Sequence, residues 1–146
     1  MVIYTEDKRT DIEEILFEFK EDLFDKTISD EKLRGLAEKF ADKAVFVCGG
    51  GKGRNKLGFA AVYCNDNINN KAYISMIVVK KEYQYRGIGT KLLEEVIKIV
   101  RDAGMKIIIL EVAKGNDKAR NFYGKQGFLQ VNETEGSYFM GKEINK

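Results

Sequence analysis

The segment from residue 72 to residue 112 constrains this chain most. Residues 72–79 form an apolar run that reads as a strand, and Gln84-Tyr85-Arg86-Gly87-Ile88-Gly89-Thr90 follows as a glycine-containing bend. From 87 to 103, Ile88, Leu92, Leu93, Val96, Ile97 and Val100 recur at helical spacing, with Gly104 placed to end the helix. Residues 106–112 are almost all branched aliphatics, the pattern of a strand buried on both faces. A helix linking two strands of one sheet crosses over it, so the two strands are expected as parallel neighbours.

The remaining segments fit around this unit. Residues 2–5 read as a first strand. Ile12, Ile15, Leu16, Phe19 and Leu23 predict a helix over 10–24, with Thr10 and Glu13 as a capping box. Ser29 is suited to cap a second helix carrying Leu33, Leu36, Ala37 and Phe40 on one face. Strands follow at 44–48 and 57–64 around the loop 49–55, and then a polar turn at 65–70. After the crossover unit come a helix at 117–125 and a closing hairpin, 128–131 with 138–144. Together these predict a mixed sheet. No repeat, low-complexity tract or linker interrupts the order, so one domain over 1–146 is expected.

Composition narrows the setting. The longest apolar runs, 76–79 and 107–110, are far short of a ~20-residue membrane span. No secretory signal is visible at the amino terminus, and a net charge of +2 gives no argument for nucleic acid. Cys48 and Cys64 are too few for a disulfide framework and lack metal-ligand spacing, so a reduced, cytoplasmic setting is expected. They fall on consecutive strands, where small buried hydrophobes are the common case. The chain has no histidine, which excludes Ser-His-Asp triads, Cys-His pairs and imidazole metal sites. A covalent cysteine mechanism would lack its activating base.

The bend can serve as a diphosphate site. Gly87 and Gly89 let the backbone approach a ligand, and the next helix directs free N–H groups at the same spot. Lys80, Lys81, Arg86 and Lys91 add positive charge nearby. A Walker loop is excluded, because Gly89 is followed by Thr90-Lys91 rather than Lys-Ser/Thr. A dinucleotide fingerprint also fails. Leu92 stands where its third glycine belongs, and only 35 residues follow Glu111. Glu111 itself shares a strand face with Ile107 and Ile109. Without a partner it would be a desolvated carboxylate, suited to accept a proton; with one, it would form a salt bridge to a nearby lysine or arginine. The 49–55 loop reads as a hairpin connection.

The spacing Gln84-x-x-Gly87-x-Gly89 resembles the acyl-CoA motif of the GNAT superfamily of N-acetyltransferases. The likeness extends from Ile77-Val78-Val79 through Leu110-Glu111-Val112 and Asn116 to Ala119, Phe122-Tyr123 and Gly127-Phe128. It is similar at these motifs to ribosomal-protein N-terminal acetyltransferases. The resemblance implies an α/β (α+β) fold: a central, mostly antiparallel sheet of about seven strands with one parallel, splayed pair, flanked by about four helices.

It also implies acetyl-CoA as co-substrate, without metal. Main-chain groups of Ile77, Val78 and Val79 would hold the pantetheine and the acetyl carbonyl. Gln84, Tyr85, Arg86, Gly87, Ile88, Gly89 and Thr90 would cradle the diphosphate, and Asn116 would touch the cofactor. Glu111 would be the general base. Tyr123 would donate to the departing thiolate, or else pack beside Phe122 and Phe128. Donors for the oxyanion would come from a strand distortion near Val78. Phe17, Phe19 and Phe24 are candidates for an acceptor pocket or for core, and the acidic face from Glu13 to Asp25 can draw cations. The expected acceptor is a small amine (an amino sugar, polyamine or amino acid derivative) in a closed pocket. The alternatives are a protein amino terminus, or a non-catalytic acyl-CoA sensor. A homodimer through the last hairpin is a further expectation of the likeness.

Overall fold

A computed structural model describes residues 3–5, 9–50 and 56–144. Its seven strands are β1 (Ile3–Thr5), β2 (Val45–Gly50), β3 (Lys56–Asp66), β4 (Lys71–Val79), β5 (Ile107–Ala113), β6 (Leu129–Glu133) and β7 (Ser137–Glu143). They form one sheet in the order β1-β2-β3-β4-β5-β7-β6. Every neighbouring pair is antiparallel except β4 and β5, as the crossover rule requires. The helices are α1 (Arg9–Glu18), α2 (Asp30–Lys43), α3 (Ile88–Asp102) and α4 (Asp117–Lys125).

Local chemistry sets the helix ends. Ser29 caps α2 by accepting from the Lys32 N–H at 3.1 Å. Gly87 begins α3 at φ +83°, and Gly104 at φ +80° turns the chain out after it. Two helix expectations need correction. Thr10 lies inside α1, so it forms no capping box. Nor does that helix run to residue 24. It stops at Glu18, and a single 3-10 turn, Lys20–Asp22, follows. Tertiary contacts account for this break. Phe19 is fully buried edge-on against Phe59, and Asp22 accepts a 2.9 Å hydrogen bond from the Lys81 amide. Val2 and residues 51–55 of the expected hairpin loop lie outside the described residues.

Helices α1 and α2 pack on one face of the sheet, over Phe46, Cys48, Phe59, Ala61, Met76 and Val78. Helices α3 and α4 cover the other face, where Val62, Ala72, Ile74, Ile108, Leu110 and Val112 are buried with Leu93, Val96 and Tyr123. The α1–α2 core draws its sheet residues from the first four strands, so β5 is not buried on both sides as expected. Ile108, Leu110 and Val112 are buried; Ile107 and Ile109 are half-buried and Glu111 is exposed. No disulfide joins the two cysteines, which are far apart. Cys48 pairs across from Phe59, and Cys64 lies five residues farther along β3, about 16 Å at ~3.3 Å per residue.

Candidate active site

The parallel ladder is short. It runs from Lys71↔Ile107 to Ile74↔Leu110 and then ends. Just beyond, β4 carries one extra residue: Val62 pairs with Ile74 but Ala61 with Met76, leaving Ser75 as a bulge. An added residue reverses the alternation of side chains. Ala72 and Ile74 face α3 before the bulge; after it Ile77 and Val79 do, while Met76 and Val78 turn under α1 and α2. The strand distortion therefore sits at Ser75, not near Val78. The sequence held a sign of it, because apolar alternation breaks phase between Ile74 and Ile77.

From Ser75 onward β4 still pairs with β3, but its other edge has lost β5. A cleft of about 680 Å³ opens there, lined by Ile77, Val78 and Val79 on one side and Glu111, Val112 and Ala113 on the other. The bend closes one end. Tyr85 at φ +65° and Gly87 at φ +83° both take the left-handed conformation, which is strained for a tyrosine. Among the described residues, the N–H groups from Tyr85 to Thr90 have no main-chain acceptor, and the first helical bond is Lys91 N–H to Gly87 at 3.1 Å. The Gln84 side chain ties the bend to β4 by donating to the Val79 carbonyl at 3.1 Å. Gly58 permits this packing: a methyl group on it would lie 2.8 Å from the Val78 carbonyl oxygen.

Asn116 and Tyr123 line the same cleft. The Asn116 side chain caps α4 by accepting from Ala119 N–H at 3.3 Å. Tyr123 is buried, its ring edge-on to Phe122 (5.1 Å between centroids) and Phe128 (5.4 Å). Burial pushes its hydroxyl far up from the ordinary tyrosine value. Packing and access to the cleft thus coexist at one residue.

Of the residues predicted to be catalytic or to bind the cofactor, Arg86 alone is missing from the lining, and its guanidinium stands over the Tyr83 ring at 5.6 Å. Lys80 is also engaged elsewhere, ion-paired with Glu18 at 2.7 Å. Lys118 enters the lining instead, with Nζ 5.6 Å from the Tyr85 ring. Glu111 is exposed where the sequence pattern suggested desolvation, because no α1–α2 core extends over β5. It makes no ion pair with any described residue, so the salt-bridge alternative is not observed. Tyr73, which the motif reading passed over, lies on the same sheet face, opposite Ile109. Burial raises its hydroxyl pKa, and the Glu111 carboxylate adds to the rise. Of the three phenylalanines considered for an acceptor pocket, only Phe24 lines the cleft; Phe19 is core and Phe17 packs beneath Arg34. The 22–28 segment supplies that wall, with Asp22, Asp25 and Ile28.

The sequence model of the Acetyltransferase (GNAT) family matches residues 9–128. The chain belongs to this family. Among GNAT relatives, N-alpha-acetyltransferase 30 of Schizosaccharomyces pombe is 30% identical over 93 residues, covering 61% of this chain and 62% of that protein. The chain thus spans less than two thirds of that relative's length. Thialysine N-epsilon-acetyltransferase of Sus scrofa is 30% identical over 120 residues, 75% of this chain and 69% of that protein. The fold is also that of PaiA N-acetyltransferase from Thermoplasma acidophilum, solved with coenzyme A. The TM-score is 0.76 at 23% identity, over 98% of this chain and 99% of that one.

Proposed function

We propose that this protein, acting as one domain over 1–146, transfers the acetyl group of acetyl-CoA to a primary amine by direct attack. The observation that carries this reading is the unzipping of β4 from β5 beyond Ile74 and Leu110, with amides at one end and a carboxylate near the other that have, among the described residues, no main-chain acceptor and no ion pair respectively. Residues 85–90 would hold the diphosphate through main-chain N–H groups, and the free edge of Ile77–Val79 would hold the pantetheine arm. The Ser75 bulge supplies the distortion from which an N–H can reach the thioester oxygen. Glu111 takes the proton of the attacking amine, and Tyr123 donates a hydrogen bond to the leaving sulfur.

The acceptor decides how much help Glu111 must give. An alkyl amine with a pKa of ~10 is only about 0.1% free at pH 7, a handicap of roughly 4 kcal/mol. A peptide amino terminus, near ~8, loses only about 1 kcal/mol. A solvated carboxylate beside an open mouth suits the second case, and the N-alpha-acetyltransferase among the relatives accords with it. A small amine in a closed pocket is the competing acceptor, in line with the thialysine enzyme.

Thiol release from acetyl-CoA over a panel of amines and amino-terminal peptides tests the proposal. Acceptor-dependent release is expected, falling about 10²–10⁴-fold in Glu111→Gln. Tight acetyl-CoA binding with no release for any acceptor would instead establish a non-catalytic acyl-CoA sensor.

A further inference from the structure

The sheet is covered unevenly. On the α1–α2 side no described helix core extends over β5, β7 and β6, and a strip of apolar side chains is left there. Gly141 lies at its centre. A methyl group on Gly141 would come within 3.0 Å of Ile109 Cδ1, 3.3 Å of Val131 Cγ1 and 3.6 Å of Ile107 Cδ1, so the strands on both sides of β7 contribute side chains over one glycine. Leu129 pairs with Gly141 and therefore shares its face. It is 73% exposed and Val131 55%, large values for apolar residues. Scattered exposed hydrophobes are ordinary, but a contiguous row beside a cleft indicates contact with a partner.

The strip is continuous with the reaction site. Phe139, half-buried, pairs directly across from Glu111 and lies on the same face as Gly141 two residues on. From Phe139 to β6 is about one inter-strand spacing, and from Glu111 about two, or ~10 Å, the length of three residues of extended chain. At its cleft end stands the Glu111 carboxylate, without an ion pair among the described residues and complementary to a protonated amino terminus. Phe24, 61% exposed, forms an apolar wall on the other side of the cleft.

We infer that this strip is the docking track for a polypeptide acceptor, whose free amino terminus enters beside Glu111 and whose next two or three residues lay apolar side chains over Phe139, Ile109, Val131 and Leu129. The inference rests on the acetyl-transfer reading above and narrows its acceptor to an extended chain with apolar residues behind its terminus.

Tetrapeptides Ser-Leu-Phe-Lys and Ser-Gly-Gly-Lys, each with a free amino terminus, provide the test. Thiol release should favour the apolar peptide about tenfold in kcat/KM, mostly through KM, equivalent to about 1.4 kcal/mol. In Leu129→Asp/Val131→Asp, that preference should fall to within twofold while the glycine peptide reacts as before. Leu129→Ser/Val131→Thr serves if the acidic pair lowers the melting temperature. Equal rates for the two peptides in the wild type, or a preference that survives in either folded variant, would overturn the track. So would a wild-type dimer that both variants dissociate without changing peptide preference, which would assign the strip to a second copy. Thiol release from amines but from no peptide overturns the track alone. No release from any acceptor overturns the transfer reading and the track together.

Discussion

Tyr123 meets two demands that are usually separate. Its ring packs against Phe122 and Phe128, and the residue also lines the cleft. Because burial raises its pKa, the folded state keeps the proton that the unfolded chain releases near pH 10. The stability it contributes is complete below that pH and declines as pH rises above it. Tyr123→Phe should therefore flatten the alkaline fall in urea midpoint between pH 9 and 11, with circular dichroism as the readout. In the proposed mechanism the same substitution would remove a hydrogen bond to developing charge on sulfur, and a ten- to hundredfold drop in kcat with little change in the KM for acetyl-CoA is expected. That Glu111, Asn116 and Tyr123 belong together was legible in the sequence, because they stand at motif spacings, and all three line the cleft. Their environments were not. Whether Glu111 is desolvated depends on which half of the sheet α1 and α2 cover, and no local pattern around residue 111 carries that information. Tyr73 was missed for a related reason: it comes under the influence of Glu111 through its register opposite Ile109 rather than through any motif.

At the scale of elements, most of the fold could be read from periodicity. The crossover of β4, α3 and β5 follows from an amphipathic helix between two apolar runs, and α4 spans Asp117–Lys125 as its pattern predicts. The exceptions arise where tertiary contacts override local preference, as at the end of α1, or where the chain inserts a residue, as at Ser75. Gly58 offers a direct test of how tightly these elements fit. A side chain there would press on the Val78 carbonyl at 2.8 Å and on Leu92 Cδ1 at 3.0 Å, so β4 would have to shift. Gly58→Ala should lose about 1–3 kcal/mol in chemical denaturation and raise the KM for acetyl-CoA, since Val78 forms a cleft wall. Gly89→Ala is the contrasting case. Its methyl would meet the Phe122 ring at 3.4 Å, an ordinary contact, and its φ is not left-handed. It should therefore cost much less stability.

The whole molecule is a sheet divided along part of its length. Below the bulge, four residue pairs join β4 to β5, supported by the core between Ile74, Leu110 and Leu93. Above it, the strands that carry the bend and those that carry Glu111 meet across the cleft rather than through hydrogen bonds. A ligand seated there touches both halves, and a ligand that binds only the folded chain stabilises it by mass action. Acetyl-CoA at about 100 times its Kd should add about 2.7 kcal/mol, which for a chain near 150 residues is a rise in Tm of roughly 5–10 °C. The location of the effect is as informative as its size. Amide hydrogen exchange should slow in residues 85–90, where the N–H groups lack main-chain acceptors, and along Ile77–Val79, whose outer edge faces the cleft. It should change little in β1 and β2, which are remote from the division. A Tm rise accompanied by protection confined to β1 and β2 would place the ligand elsewhere, and the free amides of the bend would then need another explanation.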